Sequence, residues 1–353
     1  MKLVHTFYGE ESNAMLAPRG VCLSNDILAV SDTGQNRVLI WNNIFDYKHK
    51  KATVKLEAST EQQLQKGTCN ANSLQYPSGI WTNGEILIIA DAWNHRVLIW
   101  KTFPTKNNQA ADVVIGQPNF DNNQPNITGL GNLPTAQSLY WPYGVYSNGT
   151  ELWIADTGNR RVLYFSEIPA TNFAVANAVI GQATFNEKDY DPANAVWPYS
   201  VKISNKGEML IADTQYYRVL YWNNWKDSLT VPAKIIFGQA DMQSNGQNQY
   251  QLKPNAKTLN WCYDVCFWNN GIAIADTGNS RVVIHNQIPT ENNALANFQL
   301  GQPNFETHGE TSLSFTSKIE NEMYWPFAVN TDNNVLVLAD TGNHRILIYK
   351  NLE

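Results

Sequence analysis

The chain has 353 residues, of which 43% are hydrophobic and 12% aromatic, enough for a large buried core. Its 25 basic and 31 acidic residues give a net charge of −6, which argues against electrostatic recruitment of nucleic acid or of an anionic membrane. No apolar run approaches the roughly 18 residues of a membrane-spanning helix, and the first residues lack the apolar core of a signal peptide. We therefore predict a cytoplasmic protein without membrane insertion.

The first predicted pair of elements is a β-hairpin at 27–41, whose turn reads "SDTGQNR". The same pattern recurs along the chain: an apolar alternating run, an Asp, a tight turn, an Arg five residues after the Asp, and a second apolar run. The predicted hairpins lie at 27–41, 86–100, 151–165, 208–222, 271–285 and 335–349. This self-similarity indicates a repeat protein with a unit of about sixty residues.

Each copy of the hairpin contains the same two charged residues. The aspartates are Asp32, Asp91, Asp156, Asp213, Asp276 and Asp340. The arginines are Arg37, Arg96, Arg161, Arg218, Arg281 and Arg345. A residue present in every copy is more typical of a structural role than of a single catalytic site. We interpret each carboxylate as an acceptor of backbone N–H groups from its turn that also faces the Arg of the next strand.

Two further strands flank each hairpin. A strand such as "YGVYS" precedes it, and a short strand ending in Gly-Gln, such as "VVIGQPNF" (113–120), follows it. The last unit lacks this outer strand, which residues 2–10 can supply, so that the ring is closed by the N-terminal strand. The sequence therefore predicts an all-β fold, a six-bladed β-propeller with four-stranded antiparallel blades, and a single domain over residues 1–353.

The segments "WPYGV…ELWIADTGNRRVLYF" (141–165) and "WPFAV…VLVLADTGNHRILIY" (325–349) resemble NHL repeats. The signature of that family is a Pro-x-Gly-Val strand followed by Asp, Asn and Arg around the second turn. The added Gly-Gln outer strand resembles a bacterial branch of the family. The resemblance implies a six-bladed propeller and, in most members, a binding or scaffold role.

The same resemblance implies alternatives. Some relatives bind RNA through a basic face, and a related propeller is the lyase half of peptide C-terminal amidation, which uses zinc held by histidines and a structural calcium. Zinc or calcium enters only through this resemblance, because the sequence motifs themselves imply no cofactor. Exported relatives are common, so an exported protein with a removed signal peptide is the alternative to a cytoplasmic one.

Two hairpin turns differ from the other copies. In the second unit the usual Thr-Gly is replaced by Ala92 and Trp93, and in the fourth unit Gln215, Tyr216 and Tyr217 replace Gly-Asn-x. Both changes place large aromatic side chains on the face of the blade that carries these turns. They are candidates for partner binding, and packing against a neighbouring loop is the structural alternative.

Amide-rich loops at 57–75, 121–140, 243–260 and 306–324 lead to the inner strands on the same face. The candidate rim residues beside the inner strands are Tyr76, Trp141, Trp197, Trp261 and Trp325. An aromatic rim below amide-rich loops suits an uncharged, hydrogen-bonding ligand such as a peptide, a glycan or a protein loop. Packing between blades is the alternative interpretation.

A polar site is also predicted on the inner strands, where residues two and four positions after the Pro share a face. Asp264 is the only carboxylate at these positions, Cys266 lies beside it and Lys202 lies one blade away. Cys22 occupies the Cys266 position in the first unit. These residues are candidates for a channel-lining site, and an Asp264 satisfied by water or by Lys202 is the alternative.

The sequence favours a non-enzymatic binding or scaffold propeller. It contains no Gly-x-Ser-x-Gly, His-Glu-x-x-His or phosphate-loop motif, and its six histidines do not pair at ligand spacing. The competing prediction is an enzyme at the channel mouth, a metal-dependent lyase or hydrolase resembling the amidating-lyase class.

Overall fold

The computed structural model describes residues 1–10, 13–45, 51–57, 69–309 and 322–351. In this part of the chain all strands but two belong to six four-stranded antiparallel sheets. The sheets are the blades of a six-bladed β-propeller, so the predicted fold class is confirmed. The described residues contain no α-helix, and their helical segments are short 3-10 turns.

In blades 1 to 5 the strands follow one another in chain order from the inner to the outer edge, and in blade 6 the outer strand is β1. Before the first blade come β1 (Lys2–Phe7), β2 (Gly9–Glu10) and β3 (Asn13–Ala14). Blades 1 to 3 contain β4 (Gly20–Ser24), β5 (Ile27–Asp32), β6 (Arg37–Trp41), β7 (Val54–Glu57), β8 (Pro77–Thr82), β9 (Leu87–Asp91), β10 (Arg96–Trp100), β11 (Val113–Ile115), β12 (Pro142–Ser147), β13 (Leu152–Asp156), β14 (Arg161–Phe165) and β15 (Ala178–Ile180). Blades 4 to 6 contain β16 (Pro198–Ile203), β17 (Met209–Asp213), β18 (Arg218–Trp222), β19 (Ile235–Phe237), β20 (Cys262–Trp268), β21 (Gly271–Asp276), β22 (Arg281–His285), β23 (Phe298–Leu300), β24 (Pro326–Asp332), β25 (Val335–Asp340) and β26 (Arg345–Lys350).

The blades belong to two compact units. One unit spans Gly9–Tyr190 and holds blades 1 to 3, and the other combines Met1–Tyr8 with Asp191–Glu353 and holds blades 4 to 6. Within each unit, neighbouring blades share an apolar core, such as the one that contains Ala29, Val38 and Leu98 of blades 1 and 2. The assignment of residues 1–353 to a single domain stays a prediction.

Every hairpin turn ends on a residue in the left-handed conformation. The six turns are 3-10 helices at Thr33–Gln35, Ala92–Asn94, Thr157–Asn159, Thr214–Tyr216, Thr277–Asn279 and Thr341–Asn343. The residues that follow them, with φ between 51° and 56°, are Asn36, His95, Arg160, Tyr217, Ser280 and His344. We call this position the turn-end residue. A positive φ lets the chain reverse over a short connection into the next strand.

Each Asp of the repeat lies at the end of a second strand and is fully buried. Its Oδ2 accepts a hydrogen bond from the Nε of the Arg five residues later, at 2.6 to 2.8 Å in the six blades. Its Oδ1 accepts the N–H of a residue sixteen positions earlier, such as Tyr140 for Asp156. This differs from the expectation that the carboxylate binds the N–H groups of its own turn. The hydrogen bond to Oδ1 joins the hairpin to the segment that precedes the inner strand.

Asp156 illustrates the electrostatics of these pairs. Burial raises the pKa of its carboxyl, while the Arg161 guanidinium and the hydrogen bonds from Tyr140 and Asn159 act in the opposite direction. The guanidinium of Arg161 also donates to the main-chain oxygens of Ser138 and Phe185, at 3.0 and 2.5 Å. Such a buried pair is costly to break from one side, because the remaining charge would be unpaired in the core.

The N-terminal strand completes blade 6, as predicted. β1 pairs antiparallel with β26, from Lys2 opposite Lys350 to Phe7 opposite Ile346. The closing strand is shorter than the expected 2–10, because β2 pairs with β3 instead of β26. Gly9 has a φ of +82°, where the chain leaves the blade.

We predict that deletion of residues 1–7 destabilises the protein and promotes aggregation. The deletion leaves the edge of β26 unpaired and removes Leu3 from the apolar core of blades 5 and 6. Each lost hydrogen bond costs about 1 kcal/mol. Differential scanning calorimetry should show a lower melting temperature, and a synthetic peptide of residues 1–7 should restore part of it. An unchanged melting temperature would contradict this closure.

Candidate functional site

The turn of blade 2 carries an exposed aromatic stack. The ring of Trp93 is parallel to that of Tyr76, with centroids 4.5 Å apart and planes 4° apart. The guanidinium carbon of Arg19 lies 5.1 Å from the Tyr76 centroid. Trp93 nevertheless keeps 47% of its surface exposed. Tyr76 therefore covers one face of the indole and holds the ring in place, while the rest of the ring remains accessible to a partner.

The replacement of Gly by Trp93 fits the local geometry of blade 2. At the equivalent glycine of blade 3, Gly158, an added Cβ would lie 2.5 Å from the ring of Tyr140. In blade 2 the residue corresponding to Tyr140 is Gln75, which is exposed. The carbonyl oxygen of Gln75 accepts the N–H of Trp93 at 3.1 Å. The sequence difference at the turn is thus matched by a difference at the residue that faces it.

His95, the turn-end residue of blade 2, links this stack to a second aromatic pair. Its Nδ1 accepts the N–H of Trp141 at 3.1 Å. Tyr140 stacks on Trp141 with centroids 4.6 Å apart, and it also lies 5.4 Å from the His95 ring. Burial lowers the pKa of His95 to about 4, which keeps the imidazole neutral and able to accept this bond. We call Tyr76, Trp93, His95, Tyr140 and Trp141 the blade-2 aromatic patch.

Four of the predicted rim aromatics share an uncommon backbone conformation. Tyr76, Trp141, Trp261 and Trp325 have φ between 49° and 55°. A bulky residue in the left-handed region is strained by the order of 1–3 kcal/mol and is found where the surrounding structure enforces it. The turn-end residue of the preceding blade provides one such constraint. Asn36 accepts the N–H of Tyr76 at 2.7 Å, and Ser280 that of Trp325 at 3.3 Å.

Of the turn-end residues, the sequence interpretation named only Tyr217 as a candidate and missed the others. They are the positions of the turn that vary most between copies, which is the signal that could have identified them. It also missed the second residue of the inner strand, where Tyr263 of blade 5 contacts both Tyr199 of blade 4 and Phe327 of blade 6.

In blades 5 and 6, two predicted tryptophans lie at the surface. Trp261 and Trp325 are 40% and 49% exposed. Tyr217 contacts Trp261 edge-on, with centroids 5.2 Å apart, and Tyr324 stacks on Trp325 at 4.9 Å. These exposed rings are therefore held in defined orientations.

Two aromatic candidates of blade 4, Tyr216 and Trp197, do not lie where the sequence analysis placed them. Tyr216 is buried, with its ring 4.6 Å from the guanidinium carbon of Arg218, so it is a packing residue and not a surface contact. Trp197 donates its N–H to Asp213 at 2.8 Å, as Tyr140 does to Asp156 in blade 3. Blade 4 has one residue fewer between this donor and the inner strand. Trp197 therefore corresponds to Tyr140 and not to Trp141.

The predicted polar site on the inner strands is a buried link between blades 4, 5 and 6. Asp264 accepts the N–H groups of Val265 and Val329 at 2.9 and 3.0 Å, and Lys202 Nζ lies 3.4 Å from its Oδ1. Cys266 is buried beside this pair, and burial raises the pKa of its thiol. Both oxygens of Asp264 are thus engaged, which agrees with the alternative that Lys202 satisfies this carboxylate. A channel-lining role of Asp264 stays a prediction.

Cys22, in blade 1, is also buried rather than presented to a channel. Its Sγ lies 3.7 Å from the main-chain oxygen of Thr82. Since a thiol in apolar surroundings behaves as a small hydrophobic group, we assign Cys22 to the core.

The Gly-Gln motif has a structural explanation that the sequence did not reveal. In blade 2, Gln117 Nε2 donates to the main-chain oxygens of His95 and Gln124, at 3.1 and 2.9 Å. In blade 4, Gln239 binds Tyr217 and Gly246 in the same manner. The glutamine thus fastens the loop after the outer strand to the turn-end residue. This positions the loop beside the aromatic side chains.

Two amide-rich loops are fixed by a second device. Asn126 and Asn159 form a reciprocal amide pair at 2.9 and 3.0 Å, and Asn248 and Asn279 form the same pair at 2.8 and 3.0 Å. The loops at 57–75 and 306–324 lie largely outside the described residues.

The zinc and calcium sites implied by the family resemblance do not fit the described residues. In that part of the chain, no three His, Cys, Asp or Glu side chains converge as metal ligands. The carboxylates of the repeat are each occupied by Arg and N–H donors.

We predict that protonation of His95 lowers the stability of the fold. A pKa near 4 in the folded protein, against about 6.5 when unfolded, gives a contribution that is present above pH 6.5 and is lost as the pH falls towards 4. At 1.36 kcal/mol per pKa unit it amounts to roughly 3 kcal/mol. His95→Asn introduces the residue that blade 1 has at this turn position, Asn36. Urea unfolding curves of this variant between pH 4 and 7 should lack the pH-dependent contribution of His95.

The His95→Asn variant retains the contribution of His285, whose pKa burial also lowers to about 4. The difference between the two pH profiles therefore reports His95 alone. Identical profiles would show that the imidazole does not accept the Trp141 N–H as a neutral ring.

We predict that Asp264→Ala destabilises the protein by about 2–4 kcal/mol, because two N–H groups and the Lys202 ammonium lose their partner. Asp264→Asn, which keeps an acceptor oxygen, should cost less. Urea denaturation measures both. Stoichiometric metal in the purified wild type that is absent from Asp264→Ala would instead assign this residue to a metal site.

No family model matches the sequence, and a search of curated proteins finds no match. Among solved structures, the chain is similar to the WD40 β-propeller domain of Doa1, with a TM-score of 0.51 and 9% identity over 99% of this chain and 97% of that chain. It is also similar to the computationally designed Ika8 protein, with a TM-score of 0.43 and 7% identity over 95% of this chain and 71% of that chain. At 9% identity, the likeness to the Doa1 domain establishes the propeller fold alone.

Proposed function

We propose that the protein is a non-enzymatic binding or scaffold propeller that engages a peptide, a glycan or a protein loop through its exposed aromatic side chains. The observation that carries this proposal is the stack of Trp93 on Tyr76, at the one turn where the usual glycine is replaced by tryptophan. A propeller is commonly a scaffold for protein interactions, which agrees with this role.

The physical argument rests on rigidity and exposure. A partner that covers Trp93 gains the burial of a large amphipathic ring, and little conformational entropy is lost because Tyr76 already fixes the ring. Aromatic anchors of this kind contribute much of the binding energy of protein interfaces. Trp261 and Trp325 offer the same properties on blades 5 and 6.

We further propose that the chain is an NHL-repeat propeller of the bacterial type with Gly-Gln outer strands. The recurring Asp, Asn and Arg of the hairpins and the Pro-x-Gly-Val inner strands support this. The contacts of Asp156 with Asn159 and Arg161 give that signature a common physical basis.

The competing enzymatic function has less support. Its best candidate, Asp264, is hydrogen-bonded through both oxygens to main-chain donors, which leaves it poorly suited to bind a substrate. Nucleic acid is not the proposed partner, because the net charge is −6. We retain the cytoplasm as the proposed location. Among the described helical segments, none is long and apolar enough to cross a lipid bilayer.

The proposed function is tested by comparing Trp93→Ala with Gln215→Ala. Gln215 holds the same turn position in blade 4, is exposed and lacks an aromatic ring, so its variant controls for a change at the turn itself. Wild type and variants would be screened on peptide and glycan arrays and against single-stranded RNA. Any ligand found would then be titrated by calorimetry.

We expect a peptide or glycan ligand whose affinity falls about tenfold to a thousandfold in Trp93→Ala and stays unchanged in Gln215→Ala, as for an aromatic anchor. A ligand bound equally well by both variants would refute the assignment to Trp93. Tight RNA binding that weakens steeply with salt would refute the choice of partner class.

A further inference from the structure

The blade-2 aromatic patch brings together two stacked pairs of rings. Tyr76 stacks on Trp93 and Tyr140 stacks on Trp141, with ring centroids 4.5 and 4.6 Å apart. His95 joins the two pairs, because it ends the turn that carries Trp93 and its ring lies 5.4 Å from that of Tyr140. The patch therefore offers flat apolar surfaces from two neighbouring blades, linked by one imidazole.

The hydrogen bond from Trp141 determines the tautomer of His95. The imidazole Nδ1 accepts the Trp141 N–H at 3.1 Å, so Nδ1 carries no proton. Burial lowers the pKa of His95 to about 4, which keeps the ring neutral near pH 7. A neutral imidazole with a bare Nδ1 carries its proton on Nε2, which is then a donor. The residue is 8% exposed, and in the described part of the chain this Nε2–H has no acceptor.

The acceptors of the patch, in contrast, already have donors within the protein. The carbonyl oxygen of Gln75 accepts the N–H of Trp93 at 3.1 Å. That of Tyr140 accepts the N–H of Gly158 at 2.8 Å. The buried carboxylate of Asp156 accepts the Tyr140 N–H and a guanidinium N–H. The indole of Trp93, which is 47% exposed, adds an N–H that can only donate. The patch is therefore richer in donors than in available acceptors.

A ligand that matches this surface has flat apolar groups, many acceptors and few donors. A proline-rich segment in the polyproline II conformation has these properties, because proline lacks a main-chain N–H and the carbonyl oxygens make no internal hydrogen bonds. Glycan hydroxyls donate as well as accept, and an ordinary extended peptide carries an N–H at each residue. Such donors would be buried without acceptors at the patch, which costs free energy.

We infer that the ligand of the blade-2 aromatic patch is a proline-rich segment of a partner protein, bound in the polyproline II conformation. One of its carbonyl oxygens accepts the Nε2–H of His95, and its pyrrolidine rings pack on the exposed indole of Trp93. Aromatic surfaces are an established platform for such segments, which are extended before they bind and so lose little conformational entropy. This inference rests on the proposed function, because it names the ligand class of the same surface.

The test uses a fluorescein-labelled dodecaproline peptide, a glycine-serine peptide of equal length and the uncharged glycan chitohexaose. His95→Ser removes the ring N–H and introduces the turn-end residue of blade 5. That residue, Ser280, still accepts the equivalent N–H, from Trp325 at 3.3 Å. His344→Ser is the matched control, because His344 is the turn-end histidine of blade 6 and is not part of the patch. Trp93→Ala removes the exposed indole.

We expect saturable binding of dodecaproline to wild type and to His344→Ser, measured by fluorescence anisotropy. Affinity should fall about fivefold to tenfold in His95→Ser, the loss expected for one hydrogen bond, and at least about tenfold in Trp93→Ala. Unchanged affinity in His95→Ser, equal binding of the glycine-serine peptide, or no binding of dodecaproline at millimolar concentration would overturn the inference.

Two results separate this inference from the proposed function. Chitohexaose, or an array peptide without proline, that binds more tightly than dodecaproline and depends on Trp93 would overturn the inference and leave the proposed function intact. Dodecaproline bound equally well by wild type and by Trp93→Ala would contradict both.

Nuclear magnetic resonance of full-length protein labelled with ¹⁵N-histidine keeps the inference testable if His95→Ser does not fold. Long-range ¹H–¹⁵N spectra should show a protonated Nε2 and a bare Nδ1 for His95, with the signals assigned from His95→Asn. Dodecaproline should shift the Nε2 signal of His95 and slow the exchange of its proton with water, while the ring signals of His344 stay in place. A His95 signal that does not move at saturating peptide would show that the ligand does not accept this proton.

Discussion

The fold depends on one buried interaction, the pairing of an aspartate at the end of a second strand with an arginine at the start of the third. A carboxylate without water around it needs several donors, and a guanidinium needs several acceptors. Asp156 and Arg161 meet these needs with groups from the inner-strand entry, the hairpin turn and the loops on both sides. Through its bonds to Ser138 and Phe185, Arg161 links the loops on both sides to the blade.

The turn between the paired residues can therefore vary without loss of the blade. The carboxylate and guanidinium fix both ends of the hairpin, and the residues between them need only reverse the chain. Blade 2 uses this freedom for Trp93 and His95, and blade 4 uses it for a buried Tyr216. The residues of the blade-2 aromatic patch thus vary in a turn whose Asp–Arg pair is the same in all six blades.

The repeat made the blades predictable from the sequence, because the Asp-to-Arg spacing and strand alternation are local patterns. The closing of blade 6 by the N-terminal strand followed from the count of strands. The burial of Tyr216 could not be read in this way, since it depends on the Arg218 guanidinium of the next strand packing across its ring. The position of Trp197 could not be predicted, because blade 4 has one residue fewer before its inner strand. Trp197 therefore donates its N–H to the blade's Asp, although the Trp-Pro motif is unchanged. The hydrogen bonds from Val114 to Asn172 and from Ile236 to Asn292 were equally hidden, because the two residues of each bond lie in different blades.

The left-handed backbone at Tyr76, Trp141, Trp261 and Trp325 has an evolutionary consequence. Glycine or asparagine would occupy this conformation at lower cost, so each aromatic ring reduces the stability that the blade could reach. The neighbouring turn-end side chain accepts the main-chain N–H, as Asn36 does for Tyr76. This hydrogen bond does not depend on which side chain the residue carries. Substitutions at these positions can therefore change the side chains that the surface presents while the blade is preserved. A protein built in this way gives up part of its stability for a surface whose side chains can be changed one residue at a time.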